Sequence, residues 1–182
     1  GAVPRALTEE DGCCAPRPRE RARAATYALR RAYRDRLLAI VADDVTSSEP
    51  IAYVPVVGER MTRLVDATLD AGLLIARAVV GPTANRVALA VIAMGKTGAQ
   101  ELNYISDVDV VYVVGPARDS GGEPLDEEEL VRVGGEIATE LARATSAGGD
   151  EPPLWPLDTG LRPEGKDGAL VRTLASHIAY YE

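Results

Sequence analysis

The 182-residue chain carries a formal net charge of -8, with 46% hydrophobic residues and only 4% aromatics, none of them Phe. That length suits one domain, or one and a fraction, with a core built from Ala, Val, Leu and Ile. An acidic chain repels nucleic-acid backbones and anionic lipid, which argues against both as partners.

The first stretch, residues 1–19, is polar and contains Pro4, Pro16 and Pro18, as expected of a flexible tail. Cys13 and Cys14 are adjacent. Neighbouring cysteines rarely pair, and no spaced framework accompanies them, so a reducing compartment and a cytoplasmic location are expected. No signal-peptide pattern leads the chain. The longest apolar run, residues 87–94, is far short of the roughly 20 residues that a membrane-spanning helix needs.

Residues 20–82 form a helical leading region. Tyr27, Leu29, Tyr33, Leu37, Leu38 and Val41 recur at helical steps over residues 20–44, with arginines on the opposite, solvated face. Thr46, Ser47, Ser48 and Pro50 break the pattern. A second helix is predicted over residues 58–80, with Met61, Leu64, Val65, Leu69 and Leu73 on its buried face and Gly81-Pro82 as its stop.

From residue 83 the texture changes. Residues 87–94 read as a strand buried on both faces, because no polar residue alternates. Residues 95–106 read as a glycine-bearing loop or short helix, and residues 107–114 as a second, Val-rich strand. A loop over 115–124 leads to an amphipathic helix over 125–144, whose acidic start complements the helix dipole. A turn-rich connection over 148–156 leads to a third strand over 157–161, and residues 169–181 read as a closing helix. Helices first and a strand–helix unit after them predict an α+β fold with a small sheet.

Chemistry concentrates around Asp107 and Asp109. Two apart on an extended segment, they share a face, while Val108 and Val110 point into the core. Such a pair repels itself unless a cation intervenes, and hard carboxylate oxygens suit Mg²⁺, which often combines one or two carboxylates with substrate phosphate oxygens. Gly95 and Gly98, in the turn before the pair, let backbone N–H groups approach a phosphate. An isolated Asp-x-Asp is more often a solvated strand face. Here the preceding strand, the glycine turn and the later carboxylates favour a site.

The run from Met94 to Asp109 (MGKTGAQELNYISDVD) closely resembles a signature of the glutamine synthetase adenylyltransferase/adenylyl-removing enzymes. The run from Leu157 to Val171 (LDTGLRPEGKDGALV) resembles their second signature. Together with residues 175–181, the resemblance covers about residues 84–182. It implies a polymerase β-like nucleotidyltransferase core over residues 83–182: a small mixed sheet flanked by helices, preceded here by the helical region. It also implies three Mg²⁺-binding carboxylates, mapping onto Asp107, Asp109 and Asp158, with Asp158 helping to position or activate the nucleophile. ATP or ADP and phosphate are the implied substrates or products. Glutamine synthetase is the implied target, modified on a tyrosine, and a PII-type signalling protein the implied regulator of the full-length enzyme. Glu101-Leu102-Asn103 is more like the N-terminal, AMP-removing copy of the domain than the C-terminal copy, and the family's C-terminal helical domain is expected to be missing. Two departures stand out. The superfamily's Gly-Ser pair is replaced by Gly95-Lys96 and Gly98-Ala99, and residue 160 is Gly where a polar or basic residue is common.

Other candidates keep two readings. Lys96 either touches a phosphate or is an ordinary exposed lysine. Arg162 either clamps phosphate in bidentate fashion or makes a structural pair with an acid. Ser106 either donates to a phosphate or caps the turn. His177 reads as a packing or surface residue and Trp155 as a core anchor beside the third strand, and Pro156 requires that strand to begin there or lie at an edge. A truncated, non-catalytic module binding nucleotide or a regulator is the competing function. A superfamily enzyme with another acceptor is a third.

Overall fold

The computed structural model describes residues 17–118 and 125–182. Most of the predicted tail, with Cys13 and Cys14, lies outside the described residues, as does 119–124 of the predicted loop.

Helix α1 spans Pro18–Val45 and α2 spans Pro50–Val80. They pack on each other as a hairpin, and α2 also packs on α4 (Glu127–Ser146). Helix α2 starts earlier than the sequence predicts. Pro50 occupies its first turn, where a missing N–H costs nothing. Pro55 stays within the helix, and the carbonyl it leaves free belongs to Ile51, 89% exposed and open to water. Met61, Val65 and Leu69 are buried as the period predicts.

The arginine face of α1 is not wholly solvated. Arg30 is 2% exposed. Its guanidinium donates to the carbonyls of Arg143 (3.1 Å), Ala144 (2.9 Å) and Glu151 (2.8 Å). It therefore satisfies the last turn of α4 and ties the following connection to α1. Next to it, Trp155 packs edge-on against Tyr33, with ring centroids 6.3 Å apart.

The sheet is small and mixed. Strand β1 (Val87–Ala93) runs antiparallel to β2 (Val108–Pro116), from Val87 opposite Pro116 to Ala93 opposite Val110. On the other side β2 pairs in parallel with two separate short strands, β3 (Leu157–Asp158) and β4 (Val171–Thr173). Strand β2 is thus central. Its Val108, Val110, Tyr112 and Val114 are buried on the face that meets α4, where Gly134 lets the helix come against Val114 and Val171.

Three predictions need correction. Strand β1 is an edge strand whose Ala88, Ala90 and Ile92 face outward; small alanines make an open face tolerable without polar residues. The third strand stops at Asp158 rather than 161, because the chain turns there. Residues 171–173 form β4, and the closing helix, α5, spans only Leu174–Tyr181. The β-branched Val171 and Thr173 suit a strand better than a helix interior. Asp126 caps α4 by accepting from the Glu129 N–H (2.8 Å), and Glu127, Glu128 and Glu129 follow, as the acidic start predicts. Among the described residues no helix is long and apolar enough to cross a membrane.

Candidate active site

Asp109 and Asp158 are register partners across the parallel β2–β3 pair. Facing residues on neighbouring strands project to the same side, with backbones about 4.8 Å apart. That side is opposite the one Val108 and Val110 bury. Asp107 lies just before β2, exposed, two residues from Asp109. Pro156 precedes β3, where its missing N–H is harmless, and its carbonyl accepts from the Val108 N–H (3.3 Å).

The turn after β1 reaches the same place. The Met94 N–H donates to the Asp109 carbonyl (2.9 Å), and a single helical turn, α3 (Gly95–Gly98), follows. Gly95 has φ +52, and a Cβ there would fall 2.5 Å from Asp109 Oδ2. The residue must be glycine both for its left-handed backbone and for the carboxylate lying over it. Gly98 is hemmed in by the Ala93 carbonyl, 2.7 Å from where its Cβ would be. Lys96 is exposed at this turn, Ser106 is half-buried just before Asp107, and neither side chain has a hydrogen-bond partner among the described residues. Thr97 is 1% exposed, and its hydroxyl has no hydrogen-bond partner among the described residues.

Arg162 is committed elsewhere. Its guanidinium donates to the Thr159 carbonyl (2.8 Å) and hydroxyl (2.9 Å), the Lys166 carbonyl (3.0 Å) and the Gly168 carbonyl (3.1 Å). Its structural partners are therefore main-chain carbonyls and a hydroxyl, not an acid. Asp158 Oδ1 accepts from the Gly160 N–H at 2.7 Å, leaving Oδ2 for another partner. Thr159 is not among the sequence candidates, and Gly160 enters there only as a departure from the family pattern. The signal was there, since Asp followed two residues later by Gly marks a side-chain-closed turn. His177 Nε2 lies 3.5 Å from the Tyr112 carbonyl, in a packing role.

On its other side the signature loop meets the helical hairpin. Gly58 of α2 sits against the loop backbone, with the Gln100 carbonyl 3.1 Å from where a Cβ would be. Tyr104 donates to Asp44 Oδ2 at 2.7 Å. Burial, then the bond to that carboxylate, pushes the Tyr104 phenol up to about 12. A cavity of about 660 Å³ opens here, walled by Val57, Glu101, Leu102 and Tyr104 among others. None of Asp107, Asp109 and Asp158 lines it, so its size does not bear on their chemistry.

Among the described residues no three His, Cys, Asp or Glu side chains converge into a ready-made metal cage. The donor chemistry nonetheless fits a hard cation. Two carboxylates adjoin on one face, a third is two residues away, and Gly95 leaves room for Asp109.

A family model for glutamate-ammonia ligase adenylyltransferase matches residues 8–182. The chain belongs to this family. Curated relatives named bifunctional glutamine synthetase adenylyltransferase/adenylyl-removing enzyme agree with that. The one from Bifidobacterium longum subsp. infantis is 48% identical over 161 residues, 87% of this chain and 14% of the relative. Those from Streptomyces coelicolor and Mycolicibacterium smegmatis are each 46% identical, covering 85% and 88% of this chain and 15% of each relative. The chain therefore spans a small part of the length of these adenylyltransferases.

Proposed function

We propose that this member of the adenylyltransferase family carries a polymerase β-like nucleotidyltransferase centre that acts on the bond between AMP and a tyrosine of glutamine synthetase. The observation that carries the reading is the register of Asp109 against Asp158. Asp107, Asp109 and the free Oδ2 of Asp158 would hold Mg²⁺. When bound, Mg²⁺ neutralises phosphate charge and polarises the reacting phosphorus. The N–H groups of Gly95 and Lys96, with the Lys96 and Ser106 side chains, face the nucleotide phosphates. Gly98 is not a phosphate ligand, because its N–H donates to the Met94 carbonyl (2.9 Å). Asp158 also orients the attacking oxygen.

The character of Glu101-Leu102-Asn103 favours removal over addition. In removal, an oxygen of inorganic phosphate attacks the AMP phosphorus, the bond to the tyrosine oxygen breaks, ADP departs and the phenol takes up a proton. The acidic charge points away from nucleic acid as acceptor. A PII-type protein would act through the full-length enzyme in its cytoplasmic setting.

The test supplies the chain with adenylylated glutamine synthetase, phosphate and Mg²⁺ and measures ADP release. Release is expected. Asp109→Asn should reduce it by more than about 100-fold, beyond the usual cost of losing even an outer-shell partner of a metal site. A second reading, a non-catalytic nucleotide-binding module, draws on the lack of a converged three-carboxylate group among the described residues. Calorimetric binding of ADP with no release from the wild type would establish that reading and end the first.

A further inference from the structure

We propose that Arg162 is a positioning residue for Asp158 and not a ligand for phosphate. The proposal rests on the reading of Asp158 as a metal ligand. Four hydrogen bonds from one guanidinium close the loop between β3 and β4 on itself, joining Thr159 at its start to Lys166 and Gly168 near its end. The loop is tight: a Cβ on Gly168 would lie 2.1 Å from the Pro163 carbonyl oxygen. Glu164 and Gly165 take left-handed backbone at its tip, and Glu164 pairs with Arg172 of β4 at 2.6 Å.

The link to Asp158 is a single peptide plane. The Thr159 carbonyl and the Gly160 N–H belong to the same rigid, planar unit. Arg162 Nη1 holds its oxygen end at 2.8 Å, and Asp158 Oδ1 accepts from its N–H end at 2.7 Å. The plane cannot rotate without breaking both bonds. Arg162 thereby fixes which oxygen of Asp158 is tied down and which is left for a cation. A phosphate would have to displace acceptors that already take four of the five guanidinium N–H groups. Lysine has the charge but not the planar fork, so it cannot replace these contacts.

The test measures Mn²⁺ affinity of the chain by calorimetry, and separately ADP affinity without divalent ions. Arg162→Lys should weaken Mn²⁺ binding about 10- to 100-fold, the range for losing a group that orients a ligand, and leave metal-free ADP binding unchanged. Thr159→Val removes only the hydroxyl contact and should weaken Mn²⁺ binding by less than about tenfold, below that range. Wild-type Mn²⁺ affinity in Arg162→Lys, or a tenfold loss of metal-free ADP affinity, overturns the proposal. Should Arg162→Lys not fold, hydrogen exchange at the wild-type Gly160 amide decides: protection supports the lock, and free exchange refutes it. Asp109→Asn is the control for the underlying reading. If it binds Mn²⁺ like the wild type, the metal site itself is wrong, whatever the Arg162 variants do.

Discussion

Replacing Gly95 with alanine separates two costs that the structure places at one residue. The first is conformational. At φ +52 the backbone is left-handed, which costs an L-residue roughly 1–2 kcal/mol. The second is contact. The new Cβ would lie 2.5 Å from Asp109 Oδ2, whereas ordinary contact begins at 3.4 Å, so the carboxylate must swing away. Holding Asp109 off its rotamer costs about 0.5–1.5 kcal/mol. Gly95→Ala should therefore destabilise the chain by about 1.5–3.5 kcal/mol in urea unfolding at unchanged m-value. The second cost disappears if the carboxylate is absent. In a double-mutant cycle with Asp109→Ala, the two substitutions should couple by about 0.5–1.5 kcal/mol, with the double variant more stable than the sum predicts. Coupling below about 0.3 kcal/mol would mean that Asp109 does not lie over Gly95, and would refute the geometry. The single Gly95→Ala variant should also lose the ADP release proposed above, since Asp109 would leave its place beside Asp158.

Arg30→Met keeps the buried stem but strands the Ala144 carbonyl in the last turn of α4 and the Glu151 carbonyl in the connection after it, while the Arg143 carbonyl keeps the Ala147 N–H. It should cost about 2–4 kcal/mol in urea unfolding, and a loss under 1 kcal/mol would show that water replaces the guanidinium. Tyr104 gives a pH signature. Its phenol is neutral when protonated, and its pKa is about 12 folded against about 10 unfolded, so its contribution is whole below about pH 10 and is lost as the pH rises to about 12. Wild-type stability should fall more steeply over that window than that of Tyr104→Phe; parallel curves would remove the Asp44 contact from the account.

The sequence revealed local periodicity well and long-range partnership poorly. The buried face of α2, the acidic cap of α4 and the alternation of Asp107 and Asp109 against Val108 and Val110 follow from spacing alone. Arg30 could not be read that way. A buried arginine looks like its exposed neighbours until the carbonyls it meets, more than a hundred residues later, are in place. Strand β1 misled for a related reason. An unbroken apolar run predicts two buried faces, but at Ala88 and Ala90 the outward side chains add little apolar area, which leaves Ile92, 44% exposed, as the larger cost on that face. Arg162 showed its place in the signature but not its four acceptors, which exist only once the loop has closed.

The early end of β3 bears on the proposed site more than any other departure from the sequence prediction. Had β3 run on to Leu161, its register with β2 would have set Leu161 opposite Tyr112, the position Val171 of β4 occupies. Asp158 would then be an interior strand residue. Its neighbouring peptide would be drawn into the ladder and not available to the carboxylate. Because the chain leaves the sheet after Asp158, the Gly160 N–H is free to bind it and Arg162 is free to hold the turn. The edge of β2 is then completed by a separate segment, β4, so the core stays covered while Asp158 keeps a side chain aimed by its own loop. The broken edge reconciles two demands: continuous pairing to protect β2, and an interruption to orient the carboxylate beside Asp109.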